Sequence, residues 1–218
     1  MIYWICKILL LIIARPYFRV RGVGTHNIPR RRAVLFVSNH ASYLDPPLIG
    51  MMIPGSLYYL AKKELFDVPF LSWLLRHIKV IPIKRGGLDR KSIQTCRDLL
   101  SSGKSLLIFP EGTRTKDGNL QEFKPGIYLL IKDLPEISLV PVYIDGSFLA
   151  LPRNKKFPRP VKLTVYFGKP FKIDQKGVEM KKKDYYKFLS NLIYGKILSL
   201  KNHIKSDMGL KRGKENHG

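Results

Sequence analysis

Two short stretches of this chain, about seventy residues apart, carry side chains able to do chemistry. In Ser38-Asn39-His40-Ala41-Ser42-Tyr43-Leu44-Asp45, an imidazole is followed five positions later by a carboxylate. A histidine is mostly neutral near neutral pH, so it can take the proton of an attacking hydroxyl. A carboxylate beside it holds the ring's tautomer and stabilises the imidazolium that forms. In Phe109-Pro110-Glu111-Gly112-Thr113-Arg114, glycine permits a tight turn and arginine offers a planar fork that matches phosphate oxygens. Each stretch also has a plain reading: His40 as a loop histidine, Asp45 as a helix cap before Pro46, and Glu111 with Arg114 as a solvated pair. A His-x4-Asp spacing is common by chance, so taken singly it identifies nothing.

More cations lie between and after these stretches. Ile83-Lys84-Arg85-Gly86-Gly87 puts two at the end of an apolar run, and Phe123-Lys124-Pro125-Gly126 puts one before a helix start. Other chemistries lack their signatures. Cys6 and Cys96 form no disulfide framework and no metal-ligand spacing. Gly22-Val23-Gly24 lacks the third glycine of a dinucleotide fingerprint.

The elements that must position these groups alternate along the chain. Residues 33–38 read as a strand buried on both faces, and Asp45-Pro46-Pro47 as a helix start. Strands follow near 57–61, 78–83, 105–109, 139–144 and 162–167, the last alternating like an exposed edge. Helices fall at 69–76, 88–101, 126–132 and 185–200. This order predicts an α/β fold, a single domain with a mixed, mostly parallel sheet flanked by helices. The apolar stretch Val68–Leu75 reads more readily as core than as a lipid contact. Residues 22–205 form the domain, and 206–218 are expected to be a disordered basic tail.

The net charge of +23 is unevenly spread. Residues 1–32 hold seven basic and no acidic residues, and 151–218 hold eighteen basic against five acidic. The part between carries a net charge of only +3. Such flanks suit an anionic membrane surface or nucleic acid. Against nucleic acid, no Walker-type loop or aromatic RNA-binding motif occurs, and the excess charge lies outside the core. Residues 1–21 favour the membrane. Met1 to Ala14 is apolar apart from Lys7, too short to span a bilayer, and is followed by Arg15, Arg19 and Arg21. The expectation is a short N-terminal membrane-anchoring helix interrupted by Lys7; a buried core helix is the alternative.

Taken in order, these motifs resemble the glycerolipid acyltransferases, the 1-acyl-glycerol-3-phosphate O-acyltransferases of phospholipid synthesis. Asn39-His40 through Asp45 is similar to that family's first motif, Ile83-Lys84-Arg85 to its second, Phe109 to Arg114 to its third, and Leu139-Val140-Pro141-Val142 to its fourth. The resemblance implies His40 as catalytic base and Asp45 as its orienting partner. Arg85, Glu111, Gly112 and Arg114 would bind the glycerol-phosphate end of lysophosphatidate, with Lys84 and Lys124 added as secondary phosphate contacts. Pro141 would shape the acyl-donor side. The donor would be acyl-CoA or acyl carrier protein as co-substrate, with no cofactor or metal, and the protein would lie peripherally on the cytoplasmic side of a membrane. Ser42 stands beside the pair, but no Gly-x-Ser-x-Gly elbow occurs, so direct transfer is expected over an acyl-enzyme.

Overall fold

The computed structural model describes residues 1–30, 32–84, 89–124, 126–132, 134, 136–173 and 181–215, with backbone alone at 182 and from 205 onward. Seven strands form one sheet: β1 (Arg21–Val23), β2 (Val34–Ser38), β3 (Leu57–Lys62), β4 (Val80–Ile83), β5 (Ser105–Ile108), β6 (Ser138–Asp145) and β7 (Thr164–Phe167). Their order is β1-β7-β6-β2-β5-β3-β4. Only β6 and β7 run antiparallel; the other pairs are parallel. The sheet is thus mixed and mostly parallel, as the alternating elements predict.

All five residues of β2 are buried, which is why its sequence is a continuous apolar run. Val34 and Phe36 join the core that α1 (Ile2–Tyr17) and α2 (Asp45–Met52) cover. Leu35 and Val37 join the opposite core, under α4 (Arg90–Ser101), α5 (Gly126–Ile131) and α7 (Lys182–Glu215). Two helices complete the set, α3 (Pro69–His77) and the single turn α6 (Ser147–Ala150).

Four expectations change. The strand at 164–167 is no edge, because β1 pairs alongside it; three residues reading Arg-Gly-Val carry too little pattern to announce a strand. The edges are β1 and β4, and β4 contains Pro82, whose missing N–H suits an unpaired side. The last helix runs beyond Leu200 to Glu215, through the segment expected to be a disordered tail. No proline follows Pro170, and the Lys, Leu, Met and Arg of that segment favour helix. The third change is α3, which has no buried residue and so is not core.

The fourth concerns Lys7. Its Nζ donates to the carbonyls of Ile53 at 2.5 Å and Gly55 at 3.0 Å, just beyond α2, and partial burial lowers its pKa. Tyr3 also faces inward, its hydroxyl accepting from the Leu57 N–H at 3.0 Å. The charge expected to interrupt the apolar helix is therefore turned into the domain. Trp4, Ile5, Ile8, Leu9, Ile12 and Ile13 remain exposed as an unbroken stripe, so α1 is not a buried core helix. Among the described residues, no helix is long and apolar enough to cross a membrane.

Candidate active site

β2 and β5 are neighbours in the sheet, so the two stretches that follow them meet at their carboxyl ends, where loops of α/β sheets commonly build sites. Asn39 extends the β2–β6 ladder by one step. Its Oδ1 accepts from the Ile144 N–H at 2.8 Å and its Nδ2 donates to the Ile144 carbonyl at 3.1 Å. The chain then turns and presents His40.

Asp45 opens α2 but does not cap it. Pro46 and Pro47 have no N–H to offer, and the carboxylate reaches back instead. One oxygen, Oδ2, accepts from the N–H groups of Ala41 at 2.6 Å and Ser42 at 2.7 Å, and meets His40 Nδ1 at 2.9 Å. Asp45 is fully buried, whereas the His40 side chain retains 18% of its exposure. With Nδ1 engaged by the carboxylate, Nε2 is the ring nitrogen left to take a proton. The imidazole also stacks on Phe109, with centroids 4.0 Å apart and planes at 20°.

The second stretch braces the first through its backbone. Glu111 Oε1 accepts from the His40 N–H at 2.8 Å, and the Thr115 N–H donates to the His40 carbonyl at 2.9 Å. Glu111 Oε2 accepts from the backbone and side-chain nitrogens of Gln121 at 3.2 and 3.0 Å. Both carboxylate oxygens are thus spent inside the protein, and burial pushes the acid's pKa up to about 7. The side chain expected to meet substrate therefore already accepts hydrogen bonds from His40 and Gln121. Gly112 adopts φ +69°, open to glycine but strained for other residues, and the Lys124 side chain packs where a Cβ would stand, 2.9 Å from its Cδ.

Arg114 lies over the Tyr43 ring, its guanidinium carbon 3.4 Å from the centroid. Its Nη1 is buried and has no hydrogen-bond partner among the described residues. A buried donor left unpaired costs free energy until a ligand accepts from it.

His40, Gly112, Arg114, Lys84 and Lys124 all line one cavity of about 1000 Å³. Lys84 and Lys124 are exposed at it, and Lys84 Nζ stands 4.0 Å from Asp89 Oδ2. Pro141 does not line it. It is buried within β6, in the row of Leu139 and Tyr143, against the position a Gly168 side chain would fill. It lies in β6 between parallel β2 and antiparallel β7, away from this cavity. Arg85 lies outside the described residues. Sequence reasoning missed Tyr43, Gln121 and Arg153, the last another exposed cation on the cavity. Tyr43 had a signal, an aromatic between the base and its partner; Gln121 and Arg153 had none. The deeper wall is apolar or aromatic, including Tyr3 and Leu10 of α1, Met51 of α2 and Tyr59 of β3. Among the described residues, no cluster of three or more His, Cys, Asp or Glu side chains could hold a metal ion.

A His–Asp pair and a cationic arm at the ends of adjacent parallel strands, opening on a partly apolar cavity, suit an α/β group-transfer protein. Residues 19–145 match the acyltransferase family, and the chain belongs to it. It is 30% identical over 159 residues to a chloroplastic 1-acyl-sn-glycerol-3-phosphate acyltransferase of Arabidopsis thaliana, covering 71% of this chain and 44% of that protein. A lyso-ornithine lipid O-acyltransferase of Pseudomonas aeruginosa is 39% identical over 122 residues, covering 56% and 44%. The chain spans about half the length of these curated relatives. The crystal structure of the 1-acyl-sn-glycerophosphate acyltransferase PlsC from Thermotoga maritima matches with a TM-score of 0.65 at 25% identity, over 84% of this chain and 72% of that one.

Proposed function

We propose that the protein moves a fatty acyl group from an acyl thioester to the sn-2 hydroxyl of 1-acyl-glycerol-3-phosphate, forming phosphatidate. The observation that carries this reading is the hydrogen-bonded His40–Asp45 pair sharing a large, partly apolar cavity with the unpaired Nη1 of Arg114. The relatives' named substrates point the same way.

The hydroxyl oxygen attacks the thioester carbonyl as His40 Nε2 takes its proton. Asp45 stabilises the resulting imidazolium through Nδ1. The new C–O bond is kept, the C–S bond breaks, and the proton on His40 passes to the leaving thiolate. A thiol has a pKa of about 8.5, so it leaves without a strong acid. Arg114 receives the acceptor's phosphate, with Arg85, Lys84 and Lys124 as further cations. Ser42 takes no covalent part: it is fully buried, and its hydroxyl donates to the Leu151 carbonyl at 3.0 Å. The donor is acyl-CoA or acyl carrier protein, and either anion is drawn by the basic flanks. The apolar stripe of α1 rests on an anionic bilayer with basic residues among the headgroups, on its cytoplasmic side.

The test is thiol release from each donor with lysophosphatidate in mixed micelles, beside His40→Ala. Acceptor-dependent release abolished in the variant supports the assignment. The second acceptor to run is lyso-ornithine lipid, which the Pseudomonas relative's name specifies. Release with that lipid and none with lysophosphatidate would replace the acceptor while leaving the base in place.

A further inference from the structure

The cavity has two apolar lips, and the proposed reaction accounts for only one of them. The stripe of α1 is the first. The second is α3 with the turn before it, where Phe70 is 74% and Val68 54% exposed, and Trp73 and Leu65 are also exposed. No residue of α3 is buried, and its main packing is on the turn before it and on β4, an edge strand. Phe70 stacks on Trp73, their centroids 6.1 Å apart, so the exposed rings form one patch rather than scattered side chains.

The two lips adjoin. Lys79, two residues beyond α3, places its ammonium 5.4 Å from the ring centroid of Tyr3 in α1. Tyr3, Cys6 and Leu10 of α1 and Leu65, Leu75 and Ile78 from the α3 side line the same cavity. Cations rim the α3 patch: Lys62, Lys63 and Arg76 are exposed, with Glu64 and Asp67 as the acidic residues nearby. Aromatic side chains beside Lys and Arg suit the boundary between acyl chains and anionic headgroups.

We propose that α3 is a second membrane-docking element, seating Val68, Phe70 and Trp73 in an anionic bilayer beside α1, so that lipid enters the cavity between the two helices. The inference rests on the reading that the substrate is a bilayer lipid, but its first test does not depend on turnover. The chain has two tryptophans, Trp4 and Trp73, so Trp4→Phe leaves Trp73 as sole reporter. With vesicles of phosphatidylcholine and phosphatidylglycerol, its emission should shift to the blue and be quenched by lipids brominated on the acyl chain. Trp73 emission unchanged on vesicles that carry the protein down would overturn the proposal, as would failure to bind them. A blue shift without vesicles that grows with protein concentration would assign the patch to a second copy of this chain instead.

A second variant separates docking from chemistry. Val68→Ser with Phe70→Ser, neither of which lines the cavity, should lower turnover of vesicle-borne acceptor about tenfold or more and leave that of a short-chain, monomeric acceptor unchanged. Equal loss on both would overturn the entry route. Insertion of Trp73 without turnover of any acceptor would uphold docking and reject the proposed reaction.

Discussion

The His40 side and the Arg114 side of the cavity are built on opposite terms. Around His40 the ring and backbone are already held, the ring by Asp45 Oδ2 and by stacking on Phe109, the backbone by Glu111 and Thr115, although Asp45 Oδ1 is buried without a partner among the described residues. Around Arg114 the geometry is fixed by Tyr43, but a buried donor is unspent and two lysines stand exposed. The group that moves a proton has to be oriented before substrate arrives, because small misplacements cost rate steeply. The group that binds an anion has to keep its donors free, because a donor paired within the protein would have to be released first.

This contrast fixes what each substitution should do. His40→Ala should lower kcat by about 10³–10⁴ with little change in the acceptor KM, and Asp45→Asn nearly as much through the wrong tautomer. Steady-state kinetics with lysophosphatidate checks both; activity within tenfold of the unaltered protein would end the case for a preorganised base. Arg114→Ala should act on the other parameter, raising the acceptor KM on the order of 10–100-fold, as loss of a charge-assisted hydrogen bond implies. If kcat fell and KM held, Arg114 would belong with the base rather than with binding. A smaller effect belongs to Tyr43: leucine there should raise the acceptor KM several-fold, as expected of a cation–π contact worth about 1 kcal/mol, whereas phenylalanine should not. Equal loss in both would credit the hydroxyl rather than the ring face.

A separate effect concerns stability rather than kinetics. Burial raises Glu111 from 4.5 to about 7, so the folded chain binds its proton more tightly than the unfolded chain does. Between those values folding takes up a proton, and stability declines as pH rises through the window, by up to about 1.4 kcal/mol per pH unit. Urea unfolding across that range should show a shallower slope for Glu111→Gln. The same variant should lose activity at every pH, because an amide has one acceptor oxygen where His40 and Gln121 between them need two.

Much of the site could be read in advance because it depends on local chemistry. A base followed by a carboxylate five residues on needs only one turn of chain to meet it, and the two prolines after Asp45 leave that carboxylate free to fold back. The buried parallel strands were equally legible, since a strand covered on both faces must be apolar throughout. Less local features could not be read this way. Glu111 took its expected role from the family resemblance, and its hydrogen-bond partners His40 and Gln121 lie 71 and 10 residues away. Pro141 took its role from the same resemblance, and the sheet buries it within β6.

Residue type and spacing by themselves determined the alternating fold and put His40 within reach of Asp45, because backbone periodicity and short loops are encoded where they occur; the roles of these groups came from the order of motifs and the family it resembles. Which charges face the ligand was decided only by the tertiary structure. Lys7 was turned inward to the carbonyls after α2, Glu111 was spent on the backbone of His40, and α3 was left uncovered at the sheet's edge. Each outcome depends on which distant group supplies a partner, and a chain read in order holds no record of that distance.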